Sequence, residues 1–337
     1  MDLTFDGGLT DVVPVEETSQ IGQARRVAQQ IATQAGFDAT DAGRVALIAT
    51  ELATNVLKHA RGGEIHVATV PGIDTRGVEI IAVDRGPGFN LADCLPDGFS
   101  TGGTRGEGLG AVKRQADIMD MYADARGAVV LARVYPKGFT RADIRFGASH
   151  HALHSEPVSG DGWGMAQNAD AAEIVMVDGL GHGVAAHEAA RACIDAWRAT
   201  PFEEPVSLMV LLDTAMHGGR GGAVAVARFD RKSESLRYAG IGNISAGLHT
   251  LDGSRGLASH PGIVGVQTRR AQAFDFPDVG GRLLIMHSDG LQSRWSLKDY
   301  PGLGTRHPAV IAALLHRDFC RGRDDATVLA IRLDATV

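Results

Sequence analysis

Cysteine is scarce in this chain: Cys94, Cys193 and Cys320 are odd in number, far apart and form no CxxC pair. That excludes a zinc knuckle and a disulfide framework. Lysine is rarer than arginine, 5 against 28, and neither forms a block. With a net charge of −7, this argues against nucleic acid or an anionic membrane as partner. No stretch reaches the roughly 18 apolar residues of a membrane-spanning helix. The acidic start, MDLTFDGGLTDVVPVEET, has no apolar signal-peptide core. Repeats and low-complexity tracts are also missing. The expectation is a cytoplasmic protein.

The 337 residues that are present, 44% hydrophobic and 22% charged, suffice for two ordinary domains. The 43 glycines point to many tight turns. Periodic apolar residues predict a helix over 18–36, capped by Thr18 or Ser19, and a second from a Thr40 cap to about His59. RGGEIHVATV, GVEIIAVD and GAVVLARVYP read as strands, and GEGLGAVKRQADIMDMYA as a glycine-led helix. PKGFTRA is a connector, which gives domains at 1–137 and 138–337. The second is strand-rich: DIRFGASHHA, AEIVMVDG, AVAVARFD, SLRYAGIGNISAGL, RLLIMHSDG and TVLAIRLD, with GVAAHEAARACIDAW as an amphipathic helix.

The stretch ELATNVLKHA places Glu51, Asn55 and His59 four residues apart, within a helical sector of about 80°. Val45, Ile48, Leu52 and Val56 fall on or beside it. An acid and an amide at the border of a core need partners. His59 sits at the helix end, where a cation meets free carbonyls. Further on, Asp84 ends a strand and is followed by Gly86 and Gly88; then Gly106, Gly108 and Gly110 lead into a helix. A glycine-rich loop before a helix N-terminus offers N–H groups to phosphates. Asn55 is an oxygen donor suited to Mg²⁺.

This order resembles the GHKL ATPase family over about residues 12–135, and within it the anti-sigma serine kinases of the RsbW and RsbT types. The resemblance implies an α/β sandwich that binds ATP and Mg²⁺. It implies Asn55 as the Mg²⁺ ligand, Glu51 as catalytic base, Asp84 at adenine, and Gly86, Gly88, Gly106, Gly108 and Gly110 at the nucleotide. One departure is Ala128, where such proteins often carry threonine.

In the second domain, aspartates end apolar strands in SGDGW (Asp161), MVDGLGHG (Asp178), HSDGL (Asp289) and GRDDAT (Asp324, Asp325). Singly, an Asp-Gly is most simply a turn. Together they are hard oxygen donors suited to Mg²⁺ or Mn²⁺. Arg321 and Arg323 stand near enough in sequence to hold a substrate phosphate. His150, His151 and His154 alternate faces on a strand and are expected to be solvated, and His182 reads as a loop residue.

The blocks resemble the PPM phosphatases of the SpoIIE/RsbX branch over about residues 143–335, a β-sandwich flanked by helices. The resemblance implies Asp161, Asp178, Asp289, Asp324 and the Gly179 carbonyl as metal ligands, Asp325 either behind them or at a third metal, and no side chain as nucleophile. The expected whole is an α+β, two-domain bacterial regulator of stress or sigma-factor control. It dephosphorylates a STAS-domain protein at serine or threonine and phosphorylates it with ATP. A sigma factor or another switch protein, and a second copy of the chain, are further expected partners. The alternatives are a phosphatase whose ATP domain only binds and regulates, and a sequestering module without turnover.

Overall fold

The computed structural model describes residues 3–73, 75–89, 108–138, 143–267 and 271–334. Two compact units interleave in sequence: Thr10–Ile144 with Thr305–Arg317, and Met1–Leu9 with Arg145–Gly304 and Asp318–Val337. A single cut after residue 137 would part the first strand, and a helix near the C-terminus, from the units they pack in.

Strand β1 (Leu3–Asp6) belongs to the second unit. The first unit holds strands β2 (Asp11–Val15), β3 (Gly63–Pro71), β4 (Arg76–Asp84), β5 (Ile118–Asp124) and β6 (Gly127–Val134), in an antiparallel sheet of order β2-β3-β4-β6-β5. Helices α1 (Thr18–Gln34) and α2 (Ala39–Asn55) lie on one face. Alternate residues Ile65, Val67, Val78, Ile80, Ala82, Val130 and Ala132 form the core there with Val45, Ile48, Leu52 and Val56, as a strand period of two demands.

Both helices start earlier than the hydroxyl residues suggested. Glu17 begins α1 in a capping box with Gln20, and the Asp38 carboxylate accepts from Asp41 N at 2.7 Å to cap α2. After Asn55 the helix widens into a π turn, Val56–Ala60, closed by Arg61 at φ 61°. Helix α3 (Gly108–Gln115) ends sooner than expected. Ile118–Asp124 forms the edge strand β5 instead, because its residues pair one by one with β6.

The other face of this sheet carries the rung His66, Ile81, Leu131 and Asp120, with Glu79 and Arg133 beside it. Segment 305–317 meets that face. His307 Nε2 hydrogen-bonds Asp143 at 2.8 Å, Arg306 Nη1 donates to Asp120 at 3.3 Å, and His316 lies edge-on to His66. Most of the segment is helix α6 (Pro308–Phe319), missed in the sequence reading. Helices α4 (Val184–Ala199) and α5 (Pro205–Met216) belong to the second unit.

That unit is a β-sandwich with helices. Its strands are β7 (Phe146–His151), β8 (Asp161–Gln167), β9 (Ala171–Gly179), β10 (Gly222–Asp230), β11 (Ser235–Ile241), β12 (Ser245–His249), β13 (Ser254–Leu257), β14 (Ala273–Phe276), β15 (Leu283–His287) and β16 (Ala326–Arg332). One sheet has the order β1-β8-β9-β10-β11-β14 and the other β13-β12-β15-β16-β7. Helices α4 and α5 pack on the first sheet through Ala189, Cys193, Trp197, Leu208 and Leu212 against Val175, Val177, Val224 and Val226. His150 is buried, not solvated as expected: its Nδ1 meets the Gly8 carbonyl at 3.2 Å, since the segment after β1 runs alongside. Among the described residues, no helix is long and apolar enough to cross a membrane.

Candidate functional site

In the first unit Asn55 ends α2 and Glu51 lies one turn before it, with Leu52 and Val56 holding the helix to the core. Gly108, the first residue of α3, faces both. A Cβ there would stand 3.0 Å from Asn55 Oδ1 and 3.4 Å from Glu51 Oε2. Among the described residues, Asn55 Nδ2 is buried without a hydrogen-bond partner. A buried amide left open beside a glycine fits a polar group that approaches from outside the chain. Gly110 follows in α3; Gly106 lies outside the described residues.

Asp84 ends β4, and Gly86 and Gly88 form the turn after it. Its Oδ1 accepts from Gly86 N at 2.8 Å and from Ala128 N at 3.2 Å. At position 128 the backbone, not a threonine hydroxyl, meets the aspartate. Burial pushes the Asp84 carboxyl up from its usual range; the two N–H groups and Arg317 oppose this. Arg317, on α6, donates to the Asp84 carbonyl at 3.1 Å, and Arg85 donates back to the Arg317 carbonyl. No sequence signal pointed to Arg317, because it is 233 positions from Asp84.

In the second unit, Asp161 begins β8 and is the cross-strand partner of Asp178 near the end of β9. Burial and Asp178 push the Asp161 carboxyl well above its usual range; two hydroxyls, Ser288 Oγ and Thr327 Oγ1, donate to its Oδ2 at 2.7 Å each. Burial and then the charges of Asp289 and Asp324 push Asp178 up to about 7. Burial also raises Asp324, with Asp289 and Asp325 adding to it and His182 opposing. Asn243 Nδ2 donates to Asp289 Oδ2 at 2.7 Å.

Asp325 faces inward. It accepts from Leu153 N at 2.7 Å and Gly160 N at 2.6 Å, and so anchors the turn that presents Asp161. Gly179 packs so that a Cβ would lie 2.5 Å from the Ala186 carbonyl oxygen and 2.9 Å from that of Gly160. His182 is exposed in its loop, 3.8 Å from Glu156. Among the described residues, no three His, Cys, Asp or Glu side chains close into a single ion's shell. What the structure brings together is a rim of carboxylates that raise one another's pKa. Such a donor set fits a hard divalent cation, whose charge would relieve the repulsion. Ser288 and Thr327 were missed as site residues, although each stands inside a quoted block, HSDG and DDAT.

The family described as histidine kinase-like ATPase domain matches residues 14–134, and that described as stage II sporulation protein E (SpoIIE) matches 168–334. Serine/threonine-protein kinase RsbT of Bacillus subtilis (strain 168) is 38% identical over 95 residues, 28% of this chain and 71% of that protein. A crystal structure of RsbX in complex with magnesium aligns at 20% identity over 56% of this chain and 94% of that chain, with a TM-score of 0.51. The PP2C phosphatase domain of SpoIIE from Bacillus subtilis, with a fragment of its regulatory domain, aligns at 18% identity over 94% of each chain, with a TM-score of 0.50. Both structural likenesses concern the fold.

Proposed function

Because this chain belongs to the family of RsbT-like, histidine kinase-like ATPases and carries a SpoIIE-type phosphatase domain behind that unit, we propose that it is a partner-switching regulator. It removes phosphate from serine or threonine of a STAS-domain protein and restores it with ATP. The observation that carries the reading is the carboxylate rim, in which Asp161, Asp178 and Asp324 are held together against their own repulsion.

Asp161, Asp178, Asp289, Asp324 and the Gly179 carbonyl would hold Mn²⁺ or Mg²⁺. When bound, such ions supply Lewis acidity toward a phosphate ester. The chain's own part is positioning. Ser288 and Thr327 fix Asp161, Asn243 fixes Asp289, and Asp325 fixes the turn before Asp161. Outer partners of this kind typically sustain metal affinity by about 10- to 100-fold.

In the first unit, Asn55 would hold Mg²⁺ against the phosphates of ATP, and Asp84 would accept from the adenine amino group. Glu51 would take the proton of the partner's hydroxyl as that oxygen bonds to the terminal phosphorus and the bond to the departing ADP breaks. Gly108 leaves the space beside Asn55 and Glu51 open. A second reading, in which ATP only regulates, is favoured by one contact: Arg317, from the far end of the chain, holds the Asp84 carbonyl.

The test uses the full chain. With Mn²⁺ it should hydrolyse 4-nitrophenyl phosphate, and EDTA should stop it. Asp178→Asn should lower the rate by at least about tenfold, since loss of an outer partner alone costs that much. Asn55→Ala should abolish Mg²⁺-dependent ATP binding measured by calorimetry. Cleavage that persists in EDTA, or an Asp178 variant of full activity, refutes the phosphatase half. Normal ATP binding by the Asn55 variant refutes the nucleotide assignment.

A further inference from the structure

The loop after β15 and the loop before β16 are stitched together. Leu291 bridges Cys320, Arg321 N donates to the Gly290 carbonyl at 2.9 Å, and Gln292 N donates to the Phe319 carbonyl at 2.9 Å. Gly290 lies so close to the second loop that any Cβ would collide with the Asp325 carbonyl. These two loops therefore act as one rigid piece. Between them opens a cleft of about 570 Å³, lined by Arg294, Arg321 and Arg323 together with Asp289 and Asp324.

All three arginines are exposed, and among the described residues none of their guanidinium groups has an ion-pair partner. Some exposed arginines elsewhere are paired, Arg126 with Asp124, Arg198 with Asp6 and Arg237 with Glu204, and others such as Arg25 and Arg26 are not; what sets Arg294, Arg321 and Arg323 apart is that all three line one cleft. If the cleft arginines served to neutralise the carboxylate rim, they would lie within ion-pair distance of Asp289 or Asp324, and they do not. Three unpaired cations at one cleft repel one another and attract an anion, in a chain whose net charge is −7. Guanidinium is the side chain that matches carboxylate and phosphate in a planar, two-point contact. The cleft is also far larger than one phosphate requires.

Resting on the phosphatase reading above, we propose that Arg294, Arg321 and Arg323 form the pocket that selects the target: a phosphoseryl or phosphothreonyl protein segment flanked by acidic side chains. The phosphate would go to the carboxylate rim and the cations it would hold, while the flanking acids go to the arginines. Charge complementarity of this kind sets which partner is accepted more than how tightly any partner binds.

Two phosphoserine peptides test this. One carries Asp and Glu beside the phosphoserine, and the other carries Asn and Gln at the same positions. The full chain with Mn²⁺ should show kcat/KM at least about tenfold higher for the acidic peptide, chiefly through KM, and should bind it more tightly by fluorescence anisotropy. The triple variant Arg294→Ala, Arg321→Ala, Arg323→Ala should lose this ratio. Arg323→Lys should keep part of it, and Arg323→Glu should shift preference toward a lysine-flanked peptide. A wild-type chain that treats the peptides alike, or a triple variant that still prefers the acidic one, overturns the proposal. If both peptides are cleaved with equal specificity, the pocket falls and the phosphatase stands. If neither is cleaved but the acidic one binds preferentially, the phosphatase reading falls and the pocket stands.

Discussion

Asp143 is a residue whose charge is fixed by the fold rather than by its neighbours in sequence. Burial alone would raise its carboxyl; Arg133, with Nη1 at 2.8 Å, and His307 outweigh that and hold it near 2, against an ordinary value of 3.8. A carboxyl depressed in the folded state adds stability above the unfolded pKa and loses it as pH falls through the folded one. The contribution is therefore whole above about pH 4 and lost toward pH 2, and is worth about 2 kcal/mol. Urea unfolding over that pH range should show this slope in the full chain, and Asp143→Asn should flatten it. Equal slopes would mean that Asp143 is not held as described. Nothing in the sequence signals this residue, since its partners are Arg133 and His307, the latter 164 positions away. Glu51 and Asn55 stand out in the sequence because one helical turn separates them, and Asp84 because Gly86 and Gly88 follow it. For Ser288 and Thr327 the letters were visible inside the blocks, but their bonds to Asp161 depend on three strands meeting.

Among the elements, α1, α2 and α4 were legible because each has one apolar face, and most strands because they are short apolar runs, several buried on both faces. Strand β5 was hidden by the helical look of the residues before it. Helix α6 was passed over because Pro308–Leu315 are buried throughout, and a helix that is apolar all round carries no 3.6-residue contrast. Its consequence is testable. Arg133 is 1% exposed and bonds Glu79 and Asp143, on the face that segment 305–317 meets. A fragment of residues 1–137 lacks both Asp143 and that segment. Leaving a buried charge short of its partners costs about 3–5 kcal/mol. A fragment of residues 10–144 joined by a flexible linker to 305–317 should therefore resist urea by several kcal/mol more than residues 1–137 do. Equal midpoints for the two would show that α6 adds nothing to this unit.

At the scale of the whole molecule, one chain carries an RsbT-like kinase domain and a SpoIIE-like phosphatase domain. If both recognise one STAS protein, tethering raises the local concentration of that partner for each. Opposed phosphorylation and dephosphorylation of the same hydroxyl would consume ATP without net change. One activity must then be held down under any given condition. A shift of 1–3 kcal/mol in a conformational balance changes the ratio of the two by about 5- to 150-fold. Arg317 holds the Asp84 carbonyl at 3.1 Å, and the same strand of chain reaches Asp324 seven residues later. The full chain, Glu51→Ala and Asp178→Asn are each mixed with the purified partner and ATP, and the partner's phosphorylation is followed by mass. Asp178→Asn should drive the partner to its phosphorylated form, and Glu51→Ala should leave it bare. An Arg317→Ala variant should move the ratio in the full chain while both single activities persist. If Asp178→Asn never phosphorylates a partner that it binds, the opposed-activity scheme is wrong, and ATP in this chain regulates a phosphatase instead.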